Sequence, residues 1–155
     1  MNTPENIRIA RFAVNARFHE LIEAARAKSK ALHLTKGTEA FLVSTRYGST
    51  VIVAEAVRLE SFGQRKGTAT RTDGSFIKVQ LYVGSSILFT DRADVEAFAS
   101  EVGPVTYREA LLGSAYCTAS YVPNLRRDLV SKSEAEVDAL LLAAETPVAG
   151  SVEWR

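Results

Sequence analysis

Residues 39–90 read EAFLVSTRYGSTVIVAEAVRLESFGQRKGTATRTDGSFIKVQLYVGSSILFT. β-Branched and aromatic residues dominate this stretch, glycines cut it into pieces, and helix-like sequence flanks it on both sides. That pattern is one antiparallel sheet. Residues 39–47 give a first strand, Gly48-Ser49 a turn, and residues 50–62 a second strand, so the two form a hairpin. In the second strand Val51, Val53, Ala56 or Val57, and Leu59 are candidates for the buried side. The alternation slips between Ala54 and Val57, which either a bulge or burial on both faces explains.

The next segment, 63–75 (GQRKGTATRTDGS), is the most distinctive. Gly63, Gly67 and Gly74 bracket Arg65, Lys66 and Arg71. Residues 68–72 have the length of a short extra strand, and Asp73-Gly74 is a strong hairpin-turn signal. Beyond it, Phe76, Lys78, Gln80 and Tyr82 alternate with Ile77, Val79, Leu81 and Val83, so the aliphatic row should face the core. Gly84-Ser85-Ser86 interrupts the strand, and Ile87, Leu88 and Phe89 resume it.

On the amino-terminal side, residues 4–30 read as a long helix. Thr3 suits the cap, Pro4 the first helical position, and Glu5 the positive end of the helix dipole. Ile7, Val14, Phe18, Leu21 and Ala25 recur on one face, and Phe12 and Ile22 broaden it. The span exceeds an ordinary globular helix, so a break near Asn15 is an alternative. Lys36-Gly37 makes a stop. His33, between two leucines, reads as a packing residue.

On the carboxy-terminal side, Asp91 caps a helix over 91–102 that Gly103-Pro104 ends. Thr106 and Glu109 have the spacing of a capping box for a second helix over 106–117. Cys117 falls near its end, where burial is expected. Residues 118–131 are loop-like around Pro123-Asn124. Ser133 and Glu136 repeat the capping spacing for a helix over 133–145, and a short tail carries Trp154. A tryptophan there should pack on the domain or on a partner subunit. The expected fold is therefore a single α+β domain spanning 1–155. It has an antiparallel β-meander of four to five strands, flanked by an N-terminal helix and a C-terminal group of three helices.

Composition narrows the function classes. The chain has 155 residues, 46% of them hydrophobic, with a formal net charge of +1. That suits one core and excludes a disordered chain. No apolar run reaches the roughly 18 residues of a membrane helix. The opening residues MNTPENIRIARF lack the pattern of a secretory signal, so an uncleaved, soluble, cytoplasmic protein is expected, with no membrane partner. One cysteine and two histidines, His19 and His33, give no metal-ligand spacing. Charge is uneven: residues 1–90 carry a balance of +6 and residues 91–155 one of −5. Complementary halves explain this, as does a basic face for an acidic partner.

No phosphate-binding loop, dinucleotide fingerprint or nucleophile elbow is present, so no catalytic residue and no cofactor is assigned. The reading that remains first is a non-enzymatic interaction or regulatory domain acting through a protein partner or self-association, with Trp154 a candidate for oligomer or tail packing. The alternative is nucleic-acid binding. It would use the basic loop 63–75 and the strand face beyond it, with Arg58, Arg65, Lys66, Arg71 and Lys78 meeting phosphates and Phe76 and Tyr82 stacking on bases. A second alternative is a small enzyme. Arg46, Ser85-Ser86 and Glu134-x-Glu136 stand in the order that resembles transferases moving ADP-ribose, although a helix cap at Ser133 also explains Glu134 and Glu136. An acid–base pair of His19 or His33 with Glu55 or Glu60 has no motif behind it.

Overall fold

The computed structural model describes residues 4–32, 34–46, 48–62, 66–80, 87–113 and 134–155. In chain order these form α1 (Pro4–Lys30), β1 (Glu39–Ser44), β2 (Val51–Phe62), β3 (Lys66–Arg71), β4 (Phe76–Gln80), β5 (Ile87–Phe89), α2 (Arg92–Gly113), α3 (Glu134–Glu145) and β6 (Ser151–Trp154). His33, Arg65, Tyr82, Ser85, Ser86 and Cys117 lie outside the described residues, as does the expected loop at 118–131.

The sheet runs β4-β3-β2-β1-β5, with β6 added beside β2. The first four strands form the expected meander. β5 then returns to the far side of β1, pairing Phe41 with Phe89 and Val43 with Ile87. Every pairing on this path is antiparallel; β6 instead lies parallel to β2, Val51 opposite Ser151 through Ala54 opposite Trp154. The sheet is therefore six-stranded rather than a meander of four or five.

β2 accounts for much of this. Its register with β1 is unbroken from Arg58 to Val53. The slip near Ala54 is therefore burial on both faces: Ile52, Val53 and Ala54 are all buried. The register break lies further on, between Leu59 and Ser61 opposite Ala69 and Thr68, where Glu60 is the extra residue.

One sheet face carries the helices. Val43, Ile52, Ala54, Ile87 and Phe89 pack with Leu21, Ile22, Ala25, Val95, Phe98, Val102 and Val105. Ala40, Val57, Leu59, Ala69, Val79 and Leu88 form a second cluster with Leu34, Leu42 and Ile77. A third joins Ile7 of α1, Leu112 of α2, and Val137 and Ala144 of α3. α1 is unbroken past Asn15. Phe12, expected on its buried stripe, is instead 73% exposed.

The main correction concerns the C-terminal helices. The two helices expected over 91–102 and 106–117 are one helix, Arg92–Gly113, with Pro104 inside it. Among the described residues there are thus two C-terminal helices rather than three. Gly103 is not a stop. A Cβ there would collide with the Thr50 carbonyl oxygen and lie 2.8 Å from the Gly150 Cα, so the missing side chain lets α2 cross close to the start of β6. Thr106 is not a cap either. The residue is 4% exposed, and its hydroxyl donates to the Ser49 carbonyl at 2.8 Å, with the Val102 and Gly103 carbonyls also in range. A proline inside a helix costs about 3 kcal/mol. Burial of Val102 and Val105 on either side of it contributes roughly 1.5–3 kcal/mol each, which offsets that cost.

Candidate interaction face

β2, β3 and β4 align side chains into cross-strand rows. The first row is Glu39, Arg58, Thr70 and Phe76, one residue from each of β1 to β4. The next is Ser61, Thr68 and Lys78. In the third, Lys66 stands opposite Gln80. Successive rows are two residues apart on β3 and β4, so the period-two rule puts Lys66, Thr68 and Thr70 on the side of Phe76 and Lys78. Phe76 is 74% exposed, and Lys78 one row on and Lys66 two rows on are exposed as well. On the other side of the same strands Ala69 and Val79 are buried, as the aliphatic row requires.

The turn before β4 sets this register. Gly74 is left-handed (φ 86°) and its N–H donates to the Arg71 carbonyl at 3.0 Å. Asp73 keeps a negative φ, and its carboxylate accepts from the Ser75 N–H at 2.8 Å and hydroxyl at 2.6 Å. Those bonds, the hydroxyl's first, hold the Asp73 carboxyl below the ordinary carboxylate range. Glu5 is likewise held low by the hydrogen bond from Arg8. Both groups serve local geometry.

Within the first two rows the polar groups are tied together. The Ser61 and Thr68 hydroxyls are 2.6 Å apart. The Thr70 hydroxyl donates to Glu60 at 2.8 Å, and the Arg58 guanidinium lies 3.6 Å from the same carboxylate. The bulge therefore places an anion beside Arg58. Lys66 and Lys78 have no ion-pair partner among the described residues. A groove of about 410 Å³ crosses β1, β2 and β3 at this level; Glu39, Phe41, Ala56, Arg58, Thr70 and Thr90 are among its lining.

Of the residues singled out in the sequence, Arg58, Lys66, Phe76 and Lys78 thus come together. Arg71 lines the groove with Arg58 and Thr70 but belongs to the other side of β3. It stands opposite Val57, and its guanidinium lies 2.6 Å from the Glu55 carboxylate, away from the Phe76 row. Arg65 and Tyr82 fall outside the described residues. Trp154 packs on its own chain, edge to face with Phe41 at 5.2 Å, with the Arg92 guanidinium 4.1 Å from its ring centre.

The described residues of the enzyme reading have separate partners and places. Arg46 pairs with Glu153 of β6 at 3.0 Å, and Glu136 is on the exposed side of α3. His19 is exposed on α1, its ring edge-on to Phe18, while Glu55 and Glu60 are paired with arginines. Among the described residues no group of three or more histidine, cysteine, aspartate or glutamate side chains is placed to hold a metal ion. No helix among them is long and apolar enough to cross a membrane.

Sequence reasoning missed Glu60 and Glu39 as members of this surface. Alternate counting from Arg58 does put Glu60 on this side, whereas Glu39 is brought in by the β1–β2 register that pairs it with Arg58, which the strand's own alternation does not fix. Compared with protein families, curated proteins and solved structures, the chain matches none.

Proposed function

We propose that the chain is a non-enzymatic interaction domain that engages a protein partner through the β2–β4 face. The observation that carries this reading is Phe76, a large apolar side chain 74% exposed on a strand, with Lys78 one row on and Lys66 two rows on, neither of which has an ion-pair partner among the described residues. An exposed aromatic ringed by polar groups is the usual composition of an interface anchor. Glu39 on the first row, Glu60 hydrogen-bonded to that row's Thr70, and the pairing of Arg71 with Glu55 favour a protein over a polyanion.

A second reading is nucleic-acid binding, supported by the convergence of Arg58, Lys66, Lys78 and Phe76. Cations would meet phosphates and the ring would stack on a base.

One experiment separates them. The tagged chain and a Phe76→Ala/Lys78→Glu variant are used to capture partners from the cells of origin, with and without nuclease. A protein retained by the native chain, lost by the variant and indifferent to nuclease supports the first reading. Equal retention by both chains overturns it. Capture that disappears with nuclease moves the assignment to nucleic acid.

A further inference from the structure

β4 closes one end of the strand order, and among the described residues it pairs with β3 alone. Its other side carries no strand among the described residues, and an edge of that kind offers its outward N–H and C=O groups to a further strand. Its side chains decide which strand it accepts. Lys78 is the middle residue of Phe76–Gln80. In a two-fold antiparallel pairing with a second copy, Lys78 would sit directly opposite itself. Like charges so placed are destabilising, and the row's other described members, Ser61 and Thr68, supply no anion to offset them. The same lysine, with Lys66 diagonal to it one row away, matches a carboxylate on an incoming strand. Phe76, two residues earlier on the same side, matches an apolar side chain.

We infer that β4 accepts an extended acidic segment of a partner protein as an added strand, with a carboxylate beside Lys78 and an apolar residue beside Phe76. This rests on the proposed interaction face and specifies its partner. In the antiparallel orientation the segment carries the order carboxylate-x-apolar, and in the parallel orientation the reverse. Backbone hydrogen bonds to the β4 edge hold it, and the two side-chain matches set register and discrimination.

The test uses the full chain and short synthetic peptides, end-blocked, that alternate threonine with a Glu-x-Phe or Phe-x-Glu core, followed by fluorescence anisotropy. One orientation should bind. Lys78→Glu should weaken it by about tenfold or more, and exchanging the peptide's glutamate for lysine should restore binding to that variant. N-methylation of alternate peptide amides should abolish binding in one of its two phases and spare the other. If both phases bind normally while Phe76→Ala and Lys78→Glu still weaken the complex, strand addition is overturned and the interaction face stands. If neither peptide binds measurably, strand addition is again overturned, and partner capture by the face decides the broader reading separately. If a single-stranded oligonucleotide displaces the peptide and binds more tightly, the acidic-segment assignment is overturned in favour of nucleic acid. Circular dichroism of each variant, substituted at exposed positions, checks that the fold is retained.

Discussion

Gly103 of α2 and Gly150, just before β6, pass so closely that a Cβ on Gly103 would lie 2.8 Å from the Gly150 Cα. A Cβ on Gly150 would meet the Ala99 carbonyl and come 3.1 Å from the Pro104 ring. Both obstacles are largely backbone, which cannot step aside as a flexible side chain can. Glycine to alanine inside a helix ordinarily gains up to about 1 kcal/mol. Here the overpacking cost of about 1–3 kcal/mol should win. Gly103→Ala and Gly150→Ala are each expected to lower the urea midpoint, and an unchanged or raised midpoint would show that the crossing is looser than described.

Thr106 ties the same helix to the β1–β2 connection. Its hydroxyl donates to the Ser49 carbonyl, and it is buried. Thr106→Val keeps the shape and removes the donor, so a loss of about 1–2 kcal/mol is expected from the stranded carbonyl. Thr106→Ser should retain most of the stability. Equal stability of the valine variant and the native chain in chemical denaturation would argue against the bond.

These two positions show why the sequence was legible in the meander, in α1 and in α3, and misleading at α2. The hairpin at Asp73-Gly74 and the alternation of Phe76 and Lys78 with Val79 follow from local rules, and the structure keeps them. Gly103-Pro104 also follows a local rule, but tertiary packing overrides it: Val102 and Val105 continue one buried stripe across the proline. The parallel pairing of β6 with β2 is non-local, since its register depends on where α3 ends. The proposed face was half legible for the same reason. β3 and β4 can be aligned from their turn, whereas Glu60 is the extra residue of a bulge that no alternation rule locates.

Trp154 should report on the docking of β6. It is the only tryptophan, half-buried against Phe41 and covered by Arg92. Trp154→Ala is expected to cost about 2–4 kcal/mol, below a fully buried tryptophan because part of the ring is exposed. Arg92→Ala should cost about 0.5–1 kcal/mol and shift the native fluorescence, as the guanidinium leaves the ring. Native emission identical to that of the unfolded chain would contradict the packing.

The Asp73 turn makes a pH prediction. The hydrogen bonds from Ser75 lower this carboxyl's folded-state affinity for protons. A depressed folded pKa means that its stabilising contribution is present above the unfolded value and is lost as pH falls through the folded value. Side-chain carbon shifts followed by NMR should therefore show Asp73 titrating below the ordinary carboxylate range, and Ser75→Ala should move it upward. A native Asp73 that titrates at or above the ordinary range would remove the argument. The group is exposed, so the effect belongs to the turn and not to global stability.

Glu60 gives the face a built-in brake. Its carboxylate accepts from Thr70 and lies beside Arg58, so it offsets one cation on a surface proposed to meet an acidic strand. Glu60→Gln keeps the shape and the Thr70 contact while removing the charge. Affinity for the Glu-x-Phe or Phe-x-Glu peptide should rise about two- to fivefold at low salt, and the gain should shrink as salt screens the exposed pair. Adding Arg58→Gln to this variant should reverse the gain, because the released cation is then gone. A gain that persists at high salt, or one that survives the second substitution, would place its origin in strand geometry at the bulge and not in charge.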